Sequence, residues 1–186
     1  MNIGIDIDDT ITNTYETLIP MIAIKYGLNL SKLLKTKPNY SMLSDVIPGY
    51  NEDKLELFTA MAKIVPLKED VINVLTRLRE DGHKIIIITA RNTAEYGDPY
   101  KISYDYLKSH NVPFDVLYTN VADKASKCVI EGIDLFIDDS TMNCKAVKRR
   151  GVPTLQFDAC FTKPIKDLKR VNSWEEVYQI VKDMSA

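Results

Sequence analysis

Cysteine is scarce in this chain: Cys128, Cys144 and Cys160 are the only three in 186 residues, and no two form a CxxC pair. Neither a disulfide framework nor a cysteine zinc site is therefore indicated, and reduced thiols in a cytoplasm are the expectation. Long apolar runs are missing too. The longest purely aliphatic stretch is Ile85 to Ile88, against the roughly 20 residues a membrane helix needs. Met1 leads directly into Asn2-Ile3-Gly4-Ile5-Asp6, without the basic segment and apolar core of a secretory signal. A soluble cytoplasmic protein with no membrane partner is expected. Neither charge dominates: 24 Lys and Arg stand against 26 Asp and Glu, a net −2. The overall field therefore gives no reason to expect nucleic acid as a partner. Repeats and low-complexity stretches are also lacking.

What is present is a globular composition, 45% hydrophobic and 27% charged. The length can bury a full core in one domain with a modest insertion. Five short apolar runs recur: Ile3 to Asp6, Lys84 to Thr89, Phe114 to Thr119, Asp134 to Asp138 and Pro153 to Phe157. Their lack of strict alternation suits parallel strands buried on both faces. Between them the period becomes helical. Val71, Ile72, Leu75 and Leu78 form a stripe that Gly82 is placed to end. Tyr100 to His110, Asp123 to Glu131 and Met142 to Arg150 read as further crossover helices. Ser173 and Glu176 form a capping box before a last helix that buries Val177, Ile180 and Val181. The pattern predicts a doubly wound, Rossmann-like α/β fold with a five-stranded parallel sheet.

From about residue 13 to 68 the alternation stops. Leu18, Ile19, Ile22, Ala23 and Tyr26 share one helical face, with Pro20 at a helix start or kink, and Leu55, Leu57, Phe58, Met61 and Ala62 share another. The expected organisation is a core of residues 1–12 and 69–186, with 13–68 as an all-helical cap over the site.

Chemistry-bearing residues gather where the strands end. The first strand runs into Asp6-Ile7-Asp8-Asp9-Thr10, the second into Thr89-Ala90-Arg91, and the fourth into Asp138-Asp139-Ser140, while Lys124 opens the helix after the third. In such a sheet, ligands bind beyond the carboxyl ends of the strands. Asp6, Asp8, Asp138 and Asp139 would repel one another there unless a cation compensates, and all-oxygen ligation points to magnesium. Thr89 and Lys124 beside that ion complete a phosphate site. Any one of these acids could simply cap a helix or turn, but four arriving in order on successive strands are poorly explained that way.

In that order the segments resemble the four motifs of the haloacid-dehalogenase superfamily: IGIDIDDTIT, IIIITAR, Lys124 and LFIDDS. The helical insertion after the first motif, the TAR triplet, IDLFIDD and the ending VNSWEEVYQIV look most like the type C 5′(3′)-deoxyribonucleotidase group. The resemblance implies a magnesium-dependent phosphatase. Asp6 is the implied nucleophile, forming an aspartyl phosphate, and Asp8 the general acid and base. It also implies that Asp6, the Asp8 carbonyl and Asp138, assisted by Asp139, hold Mg2+. Thr89 and Lys124 then bind the phosphoryl oxygens. Lys124 is preferred to Lys127, which lies almost a turn further on.

Arg91 is a candidate for phosphate or ribose, with a salt bridge to a nearby carboxylate as the alternative. Tyr15, Tyr40 and Tyr50 are candidates for stacking on a base, with core or surface positions as theirs. Asn92 and Tyr96 follow if the cap tyrosines point away. His83 and His110 read as structural. The expected partner is a small phosphorylated metabolite, either a nucleoside monophosphate or another ester such as a sugar phosphate, and the chain is expected as monomer or homodimer. The presence of Asp6 and Asp8 speaks against a non-catalytic binding protein. The insertion and the second Asp of DxD speak against a receiver domain.

Overall fold

A computed structural model of the chain describes residues 1–185. Its sheet has six parallel strands in the order β3-β2-β1-β4-β5-β6: β1 (Asn2–Ile5), β2 (Lys84–Ile88), β3 (Val116–Tyr118), β4 (Leu135–Asp138), β5 (Thr154–Phe157) and β6 (Lys169–Val171). The first five match the five apolar runs, β1 starting one residue early at Asn2 and the other four lying within theirs. The sixth strand corrects the expected count. Its sequence is Lys-Arg-Val, of which only Val171 is buried, so no apolar run marks it. A short, charged strand is what the exposed edge of a sheet tolerates.

Ile85 and Ile87 pack into one hydrophobic cluster and Ile86 and Ile88 into another. Successive side chains leave a strand on opposite faces, so an unbroken aliphatic run is what a doubly covered strand requires. Gly4 lets β1 lie close against its neighbours, since a Cβ there would come within 3.1 Å of the Ile133 and Phe136 side chains.

Five helices lie between β1 and β2: α1 (Thr14–Tyr26), α2 (Leu30–Thr36), α3 (Tyr40–Val46), α4 (Tyr50–Ile64) and α5 (Val71–Glu80). The first four fill the helical insertion, and Pro20 falls inside α1 rather than at its start. Two expected core positions are on the surface: Ile72 is 40% and Leu55 47% exposed. On α5 the buried stripe is Val71, Val74, Leu75 and Leu78, and Gly82 with φ +83° follows the helix end as expected.

The remaining helices are α6 (Thr93–Tyr96), α7 (Pro99–Ser109), α8 (Lys124–Ile130), α9 (Thr141–Arg149) and α10 (Trp174–Ser185). At the head of α10, Ser173 Oγ accepts from the Glu176 N–H at 3.2 Å, and the Glu176 carboxylate accepts from the Asn172 N–H at 3.2 Å. The capping box is thus present with its return bond displaced by one residue. The sole tryptophan, Trp174, is 1% exposed and donates its indole N–H to the Thr10 carbonyl at 3.2 Å. Among the described residues no helix is long and apolar enough to cross a membrane. The strand order reverses between β1 and β4, so the crevice at their carboxyl ends is where an open α/β sheet receives its ligand.

Candidate active site

Asp6 directly follows β1, and its backbone N–H donates to the Ile137 carbonyl of β4 at 3.0 Å. That bond keeps the ends of the two central strands level and brings Asp6 beside Asp138 and Asp139. One carboxylate oxygen from each of the three lies within 4.8 Å of the others, and all three residues are buried. Lys124, the first residue of α8, reaches in from the neighbouring crossover. Its ammonium donates to Asp6 Oδ1 at 2.6 Å and to Asp138 Oδ2 at 2.7 Å, and the residue is 3% exposed. Burial alone would lower the lysine, but Asp138 and Asp6 outweigh it and hold the ammonium protonated. Lys127 points elsewhere, donating to Glu131 at 2.7 Å and covering the Tyr118 ring.

The loop after β1 is tied down residue by residue. Thr10 Oγ1 accepts from the Asp139 N–H at 3.1 Å, joining the first and fourth strand ends. Asp9 adopts φ +59°, which a short polar residue tolerates. Its carboxylate accepts from the Tyr15 N–H at 2.8 Å and the Tyr40 hydroxyl at 2.7 Å. Asp8 accepts two bonds from Arg91, each 2.8 Å, and one from the Thr14 hydroxyl at 2.7 Å. Burial pushes the Asp8 carboxyl up, but the guanidinium and the hydroxyl prevail, and it rests below its ordinary range. Arg91 thus makes the salt bridge to a nearby carboxylate, forking onto Asp8 with one further bond to Ser103 at 3.4 Å, while also lining the same cavity as Asp8.

Five carboxylates thus gather around two buried cations. Burial, reinforced by Asp138 and Asp8 and opposed by Lys124, pushes Asp6 up to about 7. Burial and then Asp138 raise Asp139 well above the ordinary range. Such carboxyls are short of positive charge, and every donor they offer is oxygen. A hard divalent cation of the magnesium kind fits this set.

Asp6, Asp8, Thr89, Arg91, Lys124 and Asp139 all line one cavity of about 600 Å3. Four aromatic residues also line it: Tyr40, Phe58, Tyr96 and Phe161. Of Tyr15, Tyr40 and Tyr50, only Tyr40 lines the cavity. Tyr15 is buried behind it, stacked on Phe161 with ring centroids 4.4 Å apart and donating to the Pro38 carbonyl. Tyr50 is fully buried and does not line the cavity. Tyr96 lines it, whereas Asn92 caps α6. His83 meets the N-terminal amine and His110 the Tyr106 carbonyl, both away from the cavity.

Residues not singled out from sequence also contribute. Asn143 donates to the Asp138 carboxylate at 3.2 Å, and its place four residues after Asp139 was an available signal. Phe161, Thr162 and Lys163 line the cavity from the segment between β5 and β6, which has no periodic pattern to betray it. Gln156 holds that segment by donating to the Lys163 and Asp139 carbonyls at 3.0 and 3.2 Å.

The sequence model of one protein family, described as "5′ nucleotidase, deoxy (Pyrimidine), cytosolic type C protein", matches residues 1–186. A nucleotidase of Clostridium acetobutylicum is 28% identical over 185 residues, covering 97% of this chain and 93% of that protein. A protein of Chlorobaculum tepidum that carries the provisional name 5′(3′)-deoxyribonucleotidase is 26% identical over 194 residues, covering 97% and 89%. Among solved structures, a haloacid dehalogenase-like hydrolase of Streptococcus pneumoniae superposes with a TM-score of 0.69 at 14% identity, covering 97% of each chain. A hydrolase of the same superfamily from Geobacter sulfurreducens gives 0.63 at 17% identity, covering 97% and 95%. These two likenesses establish the fold.

Proposed function

The chain belongs to the family of cytosolic type C 5′-nucleotidases, deoxy (pyrimidine), and we propose that it hydrolyses nucleoside monophosphates with Asp6 as nucleophile. Membership makes it a phosphatase; the substrate and the residue roles are the content of the proposal. The observation that carries it is the meeting of Asp6, Asp8, Thr89 and Lys124 on one cavity, with Lys124 at 2.6 Å from the attacking carboxylate.

In this reading an Asp6 oxygen attacks phosphorus while the bond to the nucleoside oxygen breaks. Asp8 gives its proton to the departing oxygen, then takes one from the water that cleaves the aspartyl phosphate. Lys124 and the Thr89 hydroxyl stabilise charge on the phosphoryl oxygens. Asp8 rests ionised against Arg91, the form needed in the second step. An arriving phosphate adds negative charge beside it and favours the protonated form needed in the first. Arg91 orients Asp8 rather than binding phosphate. Asp6, Asp138, Asp139 and the Asp8 carbonyl would hold Mg2+, which when bound offsets phosphate charge. The proposal includes a cytoplasmic location, in keeping with three free cysteines.

Phosphate release measured over deoxynucleotides, ribonucleotides and sugar phosphates tests the substrate class; a preference for sugar phosphates would overturn it. Chelation is expected to abolish release and added magnesium to restore it. Activity that survives exhaustive chelation would remove the metal from the mechanism.

Residues 13–68 are proposed as a lid that excludes water and reads the leaving group. Stacking a base on a flat ring is worth roughly 1–3 kcal/mol. Tyr40→Leu should therefore raise KM for nucleoside monophosphates about tenfold, and Tyr40→Phe, which keeps the ring, much less. Turnover of p-nitrophenyl phosphate should change little in either variant. Equal losses on all substrates would mean that Tyr40 acts through its bond to Asp9 and not through recognition.

A further inference from the structure

A second cavity lies next to the first along the chain. Residues 161–163 line the catalytic cavity, and Pro164, Ile165 and Lys166 line a separate groove of about 450 Å3. Its other wall is α9, through Lys145, Lys148 and Arg149. No carboxylate side chain lines the groove, although the chain as a whole is net negative. Among the described residues none of the four cations takes part in an ion pair.

A helix tends to carry cations in its last turn, where they face the negative end of its dipole. That accounts for Lys148 and Arg149. It does not account for Lys145, a turn earlier, nor for Lys166, which belongs to a different segment. Positions 145, 148 and 149 are related by three and four residues, so the three charges share one helix face, an arrangement that repels itself until an anion arrives. Lys148 also donates to the Asp167 carbonyl. That bond, with the one from Thr141 at the head of α9 to the Lys163 carbonyl at 3.3 Å, joins the helix to the segment bearing Lys166, so the two walls of the groove are tied to each other.

We propose that this groove binds a polyphosphate chain, distinct from the monophosphate turned over at Asp6. Four cations on two facing walls match several linked phosphates better than one, because each added phosphate meets a further ammonium or guanidinium. The chain could be inorganic or the tail of a nucleoside triphosphate. Pro164 and Ile165 provide an apolar wall against which a nucleoside could lie.

The test is calorimetric titration of the full chain, without divalent metal, with inorganic tripolyphosphate, adenosine triphosphate and inorganic phosphate. Tripolyphosphate is expected to bind saturably, at least about tenfold tighter than phosphate, and to weaken as salt is raised. A Lys145→Ala/Lys166→Ala variant is expected to lose about tenfold or more of that affinity. Its hydrolysis of monophosphates should stay within about twofold of the parent protein, since surface substitutions away from the site are close to neutral. Equal affinity for tripolyphosphate and adenosine triphosphate identifies the chain alone as ligand, and tighter binding of the latter adds the nucleoside. The proposal is overturned if tripolyphosphate does not saturate, if phosphate binds as tightly, or if the double variant binds unchanged, which would place the ligand in the catalytic cavity.

Discussion

Asp6→Asn is expected to lower turnover of every phosphomonoester by at least about three orders of magnitude, because an amide cannot attack phosphorus and no neighbour can substitute. The fold should survive the change. Asn keeps the shape of Asp, and the carboxylate it replaces is a strained one, pushed up to about 7 by burial and by Asp138 and Asp8. Removing that charge relieves repulsion, and Lys124 keeps its bond to Asp138. Phosphate release should therefore collapse while the thermal midpoint holds or rises. A phosphorylated enzyme should be trapped with the parent protein and not with the variant. Retention of more than about a tenth of the activity would exclude Asp6 as nucleophile.

Lys124→Met should damage stability and activity together. Its ammonium is buried between two carboxylates at 2.6 and 2.7 Å, and removing one partner of a buried pair typically costs about 3 kcal/mol or more. A bound divalent cation would supply part of the missing charge, so the loss measured by denaturant unfolding should be largest in chelator and smaller in magnesium. The kcat/KM should fall by about two to three orders of magnitude, as when one donor to developing charge is deleted. Lys127→Met is the matched control. Its partner Glu131 is one helical turn away and both side chains keep contact with solvent, and such pairs are worth only about 0.3–0.5 kcal/mol. If Lys127→Met is the damaging change, the two lysines have been assigned in reverse.

The residues that could be read in advance are those whose local sequence and final surroundings demand the same thing. Ile85 to Ile88 must be apolar on both faces because both faces are covered, and a run of four isoleucines states that directly. Asp6, Asp138 and Lys124 stand at the ends of such strands or the start of a crossover helix, so sheet topology alone brings them together. Failures occur where packing between distant segments decides. Tyr15 and Tyr40 sit in the same insertion, yet only Tyr40 lines the cavity, because that depends on how α1 and α3 pack with α2 and α4, which no local period encodes. Arg91 announces a charge but not a partner: choosing between phosphate and Asp8 needs the distance between two loops 83 residues apart. Phe161 comes from an irregular connection to an edge strand of Lys-Arg-Val, and neither leaves a hydrophobic pattern.

The indole of Trp174 donates to the carbonyl of Thr10, two residues beyond Asp8. It stands on the last helix, 164 residues from its acceptor. The chain therefore carries a built-in optical reporter on the loop that follows β1, one that needs no label. A rearrangement that moves Thr10 relative to α10 stretches or breaks the bond to the sole indole. It would then be visible as a change in tryptophan emission before any chemistry has taken place.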